Sequence, residues 1–510
     1  MRTRPASTSS LPGRPSVRGS RLPPLAFWRA GLTASTTLAV LTCAAGTAHA
    51  GGFELPDNGV RAVGRGGANA VGVSDLTAVH YNPALLARQA ARFSALYNHN
   101  LVLHSESFQR APLGDNWGPD LAGTKFEKVE DENSLFALGG FLALASDFGL
   151  NETSTLGEFN FALSVYGPSA YGQQKWPAYG PQSWMLTETN LLLVYYSLSA
   201  AWQAPSRDFG FGVTLQWVDM PVMEYELAID ADPKKAEPAD CGTLAPIAGE
   251  GTCGQTPTHV AGKLNLSDRF APSAIVGAFW RFLPNWEVAV AGRVVPVQLN
   301  GKGGVELDKP ELSPEGVDVE LPLTLPMTAR GGVRYFQETF DVELDVFWEN
   351  WSVIDGYDVA MEGDINGVPV QDLAIDKQWQ DTVSVRLGGE YRALPEVLDL
   401  RAGAFVENGA APDAYSHLDF PSFDRLGVGL GLTWHALANL SLSAGYMHIF
   451  QETREISEAD GKQFQQRPAH PCPQECTDPE TGAPVPGVVA NAGTFETGFD
   501  LISFGVDFRL

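Results

Sequence analysis

The sequence predicts an all-β fold: a fourteen-stranded antiparallel transmembrane β-barrel with an N-terminal plug, or hatch, inside its lumen. Three observations lead there. Alternating apolar and polar segments recur from Ala91 to Leu510, with the two-residue period of half-buried strands. Their connections are short turns and long polar loops in alternation, the asymmetry of barrels with short periplasmic and long external connections. Gly51–Leu86, GGFELPDNGVRAVGRGGANAVGVSDLTAVHYNPALL, carries neither the strand nor the helix period. Alone it reads as an irregular leader to a β domain or as a compact plug, and the fourteen segments after it supply a cavity for a plug to occupy.

Residues 1–50 read as a cleaved export signal. Met1–Arg29 hold six arginines and no acid, Ala30–Thr47 are mostly small and apolar, and Ala48-His49-Ala50 fits the small-x-small cleavage rule. Cys43 follows Leu41-Thr42, a poor context for lipidation. The domains expected are a signal peptide (1–50), a hatch (51–90) and a barrel (91–510), in the outer membrane of a Gram-negative bacterium.

The fourteen strands fall at Ala91–His104, Ser134–Ser146, Gly157–Tyr166, Glu188–Trp202, Phe209–Leu227, Ser273–Phe282, Trp286–Leu299, Thr328–Phe336, Phe340–Glu349, Asp381–Tyr391, Leu398–Glu407, Arg425–Trp434, Leu440–Phe450 and Thr494–Leu510. An even count puts both ends on one side. No run of eighteen apolar residues follows the leader, so helical spans are not expected. Closure hides every strand edge, as hydrocarbon requires. The last strand turns Phe504, Val506, Phe508 and Leu510 one way, which suits delivery to a barrel-assembly machinery.

Strand parity sorts the wall. Glu287, Arg293, Arg330, Arg334, Asp341, Glu343, Asp345, Glu349, Arg386, Glu390, Asp399, Arg401 and Glu407 face inward, and their valine and leucine neighbours face lipid. Charge on the lipid face costs about 2–4 kcal/mol at the bilayer midplane. Paired in a wet lumen, such groups brace a plug or bind an anion. Trp348, Trp351, Trp379 and Tyr391, near strand ends, read as an interfacial girdle. The Tyr166–Trp184 loop, rich in Tyr, Trp, Gly and Pro, reads as a hydrophobic docking groove.

Without the six leader arginines, 28 basic residues face 60 acidic ones, a net charge of −32. That excludes nucleic acid as a partner. Cys241, Cys253, Cys472 and Cys476 lie in two long loops and suit disulfide staples in an exported protein. Neighbour pairing is the simplest, and the other pairings stay open. No histidine cluster accompanies them, and no metal or cofactor is expected. Ser384 has no identifiable histidine and acid partners, and nothing places His448 beside it, so no enzyme is expected. A diffusion porin and a structural or adhesive barrel remain alternatives.

The chain resembles the FadL/TodX family of outer-membrane transporters. The resemblance rests on the opening GGFELPDNGVRAVGRGGANAVGVSDLTAVHYNPALLA with its Asn82-Pro83-Ala84, on Leu325-Pro326 through Val333-Arg334-Tyr335, and on Trp348-Glu349-Asn350-Trp351-Ser352. Trp379-Gln380-Asp381-Thr382-Val383-Ser384-Val385-Arg386-Leu387-Gly388-Gly389, Asp424-Arg425 and Gly445-Tyr446 extend it. It implies a monomeric barrel in outer-membrane lipid that captures a fatty acid or other hydrophobic small molecule at its loops, shifts its hatch, and releases cargo sideways at the third strand. On that reading, Gly167-Pro168 mark the lateral exit, since proline lacks an N–H donor. Phe53 and Leu55 line a lumen pocket, Arg386 or Arg401 contacts an anionic headgroup, and Gly64, Gly66 and Gly67 let the hatch pack tightly.

Overall fold

Alternation in the sequence becomes a two-faced wall. The computed structural model describes residues 52–510 except 53, 56–57, 90, 115–121, 134, 153, 168, 171–172, 179, 231–258, 309–315, 366–367, 371, 467–474, 478–483 and 487–488. Fourteen antiparallel staves form one closed barrel. They are β1 (Ser94–Arg110), β2 (Leu135–Ser146), β3 (Glu158–Tyr166), β4 (Glu188–Gln203), β5 (Phe209–Asp230) and β6 (His259–Leu283). The seventh, β7, runs as Trp286–Val295 and, past Pro296, Val297–Leu307; β8 runs as Asp318–Leu325 and Thr328–Phe336. Then come β9 (Phe340–Glu349), β10 (Thr382–Leu394), β11 (Leu398–Glu407), β12 (Arg425–Leu437), β13 (Leu440–Gln451) and β14 (Gly493–Arg509). β14 pairs with β1 from Ser94↔Arg509 to Arg110↔Gly493 and closes the ring.

β9 shows the rule most cleanly. Phe340, Val342, Leu344 and Val346 are exposed to the lipid side, while Asp341, Glu343, Asp345 and Glu349 are buried. The same split holds on β10, where Val383, Val385 and Leu387 face out and Ser384 and Arg386 face in. The apolar outer band finds its solvent in hydrocarbon, and the polar inner row finds its partners in the hatch.

Several staves are longer than their alternation suggests. β6 starts at His259 rather than Ser273, because register shifts between Leu266 and Ala271 interrupt the period. Prolines 296 and 326 split β7 and β8 in the same way, and their upper pieces pair with each other. The segment expected as a loop over 351–378 contains a hairpin, Gly356–Glu362 against Leu373–Asp376, whose first arm adds to the upper piece of β8. These parts extend beyond the roughly ten residues that a tilted strand needs to cross a bilayer.

Within the wall the hatch is irregular, as its composition implies. It holds a five-residue helix α1 (Val60–Gly64), a one-turn helix α2 (Ala78–Tyr81) and a 3-10 stretch, Pro83–Gln89. Almost every residue from Asn58 to Gln89 is buried.

Two aromatic expectations are corrected. Trp351 and Trp379 are 0% and 4% exposed and pack edge to face, with ring centres 5.4 Å apart, so they are not girdle residues. Trp351 sits in a 3-10 turn after β9, where strand parity no longer applies. Tyr391, at 56% exposed, does face out. In the Tyr166–Trp184 region, Tyr166, Trp176 and Trp184 are buried, and Tyr166 stacks on Tyr195 at 5.3 Å. That region is internal packing rather than an open groove. Phe53, Pro168, Cys241, Cys253, Cys472 and the leader lie outside the described residues; Cys476 lies on a short strand, Glu475–Thr477, paired with Pro484–Pro486.

Candidate functional site: hatch, lumen and third stave

Glycine decides how closely the hatch meets the wall. Gly66 and Gly67 adopt φ of +61° and +77°, where a side chain is strained. A Cβ on Gly66 would stand 2.3 Å from the Ala404 nitrogen, and one on Gly64 would stand 2.9 Å from the Gly431 Cα. The wall answers with its own glycines: a Cβ on Gly403 would lie 1.9 Å from the Arg65 carbonyl oxygen, and one on Gly429 would lie 2.1 Å from that of Val63. Across the lumen, Asn82-Pro83-Ala84 rests on Gly212 and Gly277. Asn82 holds its own turn, donating from Nδ2 to the Ala70 carbonyl at 3.2 Å and accepting the Ala84 N–H at 3.1 Å.

Charge then fixes the register. Arg65 bridges Asp341 at 2.8 Å and Glu343 at 2.7 Å. The N–H groups of Asn69 and Ala70 donate to Asp345 Oδ2, both at 2.9 Å, and the N–H of Val71 donates to Glu343 Oε1 at 2.7 Å. Arg61 reaches Glu390 at 2.7 Å, and Arg88 reaches Glu287 at 2.6 Å. The inward acids of β9 are therefore the hatch's seat.

This seat also sorts the inward arginines. Arg401 donates to Glu390 at 2.6 Å and to Thr433 at 2.8 Å, within the bracing network. Arg334 binds Glu287 and Asp341. Arg386 bridges Glu407 at 2.9 Å but also lines a small pocket with Gly67, Ala70, Tyr81, Arg330, Asp345 and Phe347. Arg330 lies 4.4 Å from the centre of the Phe347 ring and 5.1 Å from that of Tyr81. Among the described residues it makes no ion pair within 4.0 Å. A cation against aromatic faces, in a pocket shared with Arg386 and Asp345, suits a ligand with a negative head. Parity marks Arg330 as inward, but only the structure separates it from the arginines used for bracing.

The third stave ends at Tyr166. β3 pairs with β2 only from Ser146↔Phe161 to Phe141↔Tyr166. The chain then turns inward: Ser169–Ala170 pairs with Glu54–Leu55 of the hatch, with Leu55 opposite Ser169. Asn58 Nδ2 donates to the Gly167 carbonyl at 3.0 Å. Gln173–Lys175 then rejoins the wall beside β4. Among the described residues the contact of β3 and its continuation with β2 ends with the Gly167 N–H donating to the Gly140 carbonyl at 3.3 Å, and the next two-residue strand, Ser169–Ala170, pairs with hatch backbone.

At the external end lies an apolar cleft lined among others by Tyr225, Ile229, Leu264, Val305, Tyr357 and Ile375. The long β5 and β6 and the hairpin build it. The cleft adjoins a buried charged cluster: Tyr225 OH donates to Asp419 at 3.2 Å, and Lys377, which lies over the face of the Tyr357 ring 4.8 Å from its centre, pairs with Asp419 at 2.7 Å. Burial would raise the Asp419 carboxyl, but His417 and Lys377 hold it well below its usual range. Burial lowers the His417 imidazole, against the pull of Asp419. The alternation of Tyr357, Val359 and Met361 carried the signal for this hairpin. Ser384 Oγ accepts from Arg386 Nε at 2.9 Å, and His448 pairs with Asp500 at 2.7 Å, so no serine–histidine pair forms.

Known proteins give the same picture. The family model described as "Outer membrane protein transport protein (OMPP1/FadL/TodX)" matches residues 41–472. Among solved structures, a FadL homologue of Pseudomonas aeruginosa aligns with a TM-score of 0.66 at 14% identity, covering 90% of this chain and 100% of its own. The toluene transporters TbuX of Ralstonia pickettii and TodX of P. putida each align with a TM-score of 0.58 at 13% identity, over 90% of this chain and 100% and 99% of theirs. At such identities the structures speak for the fold alone. No curated protein sequence matches. With its family model spanning hatch and wall, this chain belongs to the OMPP1/FadL/TodX family of outer-membrane transport proteins, which are barrels for hydrophobic compounds rather than enzymes.

Proposed function

We propose that, after removal of residues 1–50 and insertion by the barrel-assembly machinery, the chain works as a monomer that passes hydrophobic molecules from its external cleft into the outer-membrane lipid. Cargo binds first in the cleft of Tyr225, Leu264 and Tyr357, where each buried methylene contributes roughly 0.8 kcal/mol. It moves to the space beside Arg330 and Arg386. The hatch tail Glu54–Leu55 then parts from Ser169–Ala170, and cargo leaves sideways at Gly167-Pro168. The observation that carries this reading is the break between β2 and β3 after Tyr166, closed by hatch backbone instead of a barrel strand. Arg330, in no ion pair among the described residues, favours a long-chain carboxylate over a neutral hydrocarbon. Arg401 serves as a brace in this scheme, through Glu390.

Uptake of labelled oleate and toluene into cells lacking other such transporters tests the cargo. Wild type should import oleate, and Arg330→Ala should lose most of that uptake at unchanged surface level. Equal uptake by both proteins would remove the headgroup role. Single-channel conductance separates this reading from a porin, which would conduct ions freely with the hatch in place.

A further inference from the structure

Above the break in the third stave, three side chains from two segments meet at a point that the transport reading leaves unused. His104 and Glu106 stand two residues apart on β1 and so share its inner face. Asp131 follows a two-residue strand, Val129–Glu130, that pairs with Ser107 and Phe108 of β1, and its N–H donates to the Glu106 carbonyl at 3.0 Å. One ligand-type atom from each of the three lies within 4.8 Å of the others. His104 Nδ1 and Asp131 Oδ2 are 3.3 Å apart.

Two facts point to a ligand there. Glu106 is 6% exposed, and its Oε1 has no hydrogen-bond partner; its other oxygen accepts from Gln174 Nε2. Neither carboxylate is paired with a lysine or arginine among the described residues. Buried carboxylates without a cation are costly, and such groups are normally paired or bound to metal. The second shell is in place. Asp131 Oδ1 accepts the N–H groups of Asn133 and Lys175, both at 2.9 Å, and Gln174 Nε2 also donates to the Leu418 carbonyl at 2.9 Å.

We propose that His104, Glu106 and Asp131 form a binding site for a divalent first-row transition metal of the zinc type. One imidazole nitrogen and two carboxylate oxygens suit zinc, whereas calcium and magnesium take oxygen ligands. Zinc bonds of 2.0–2.2 Å place ligand atoms roughly 3.3–3.5 Å apart. The His104–Asp131 spacing already meets this, and Glu106 closes the rest by swinging its carboxylate inward. The bound ion ties β1 to Asp131, and through the Lys175 N–H it ties in Gln173–Lys175, the piece of the third stave just past the break. The ion would thus fix the upper rim of the opening without touching cargo.

The test uses the full-length protein in detergent, stripped with chelator and with free thiols blocked so that cysteines cannot bind. Titration with zinc chloride alone should show one equivalent bound per chain and a higher unfolding temperature. Cobalt chloride should give the visible absorption of a bound low-coordinate ion. Glu106→Gln and Asp131→Asn, which keep side-chain size, should each weaken zinc by more than about tenfold and abolish the rise in unfolding temperature. Absence of stoichiometric binding by folded wild type would overturn the proposal. So would unchanged affinity in both variants, which would place the ion elsewhere.

Discussion

The hatch meets the barrel in two unlike ways. On the β9–β12 side, buried guanidinium–carboxylate pairs and glycine-to-backbone contacts hold it: Arg65 with Asp341 and Glu343, Arg61 with Glu390, Gly66 on Gly403. On the β3 side the body of the hatch meets the wall through neutral contacts, Asn160 Nδ2 donating to the Leu86 carbonyl at 3.0 Å and His80 beside the Tyr166 hydroxyl. The hatch tail is held there by a two-residue ladder, Glu54–Leu55 with Ser169–Ala170, plus the bond from Asn58 to Gly167. Each charged contact becomes very costly if one partner is lost. The neutral backbone contacts are worth only about 0.5–1.5 kcal/mol apiece. The difference teaches which part is built to move. The body of the hatch is seated, and its tail is latched.

The comparison breaks most sharply if the seat is damaged. Arg65→Ala removes the guanidinium paired with buried Glu343 and leaves Asp341 to Arg334 alone, so it should destabilise the barrel by about 3–5 kcal/mol, read as a lower urea midpoint, and should raise ion leakage in planar bilayers. Next in size is Gly403→Ala, whose new methyl would meet the Arg65 carbonyl at 1.9 Å. Its expected cost is about 1–3 kcal/mol, by the same urea assay. Asn58→Ala on the latch side should cost only about 1 kcal/mol, leave the urea midpoint nearly unchanged, and speed proteolysis of the tail.

The smallest expected effect lies outside the membrane. His417 and Asp419 both sit below their ordinary ranges. As pH falls, the unfolded chain therefore takes up protons that the folded loop refuses. The stabilisation is complete above about pH 6.5 and declines below it, first through His417 and then, in the carboxylate range, through Asp419. Loop protection from protease should weaken between pH 7 and pH 5, and His417→Gln should remove that part of the pH dependence.

The fold was legible because its rule is simple. Period two sorts β9 and β10 residue by residue, and every inward acid of β9 found a hatch partner or a buried position. The rule fails where the chain leaves it: at the bulges of β6, at Pro296 and Pro326, and in the turn that buries Trp351. The site was legible in part. The small residues of Gly64–Gly67 and the Gly167-Pro168 break needed only backbone sterics. Parity alone cannot say which inward arginine is spare, because Arg330, Arg386 and Arg401 look alike until Glu390 and Glu407 claim two of them. The His104–Glu106–Asp131 cluster was hidden because a long loop separates its members in sequence.

The account rests on the latch opening. Leu55 and Ser169 are direct partners across an antiparallel pair, a spacing of roughly 4.5–5.5 Å between Cα atoms that a disulfide can span. Oleate uptake by the Leu55→Cys/Ser169→Cys protein, with that bond verified by mass spectrometry, measures the claim directly. The account predicts uptake abolished when the bond is formed and restored by reductant. Uptake at the wild-type rate with the bond intact would contradict it.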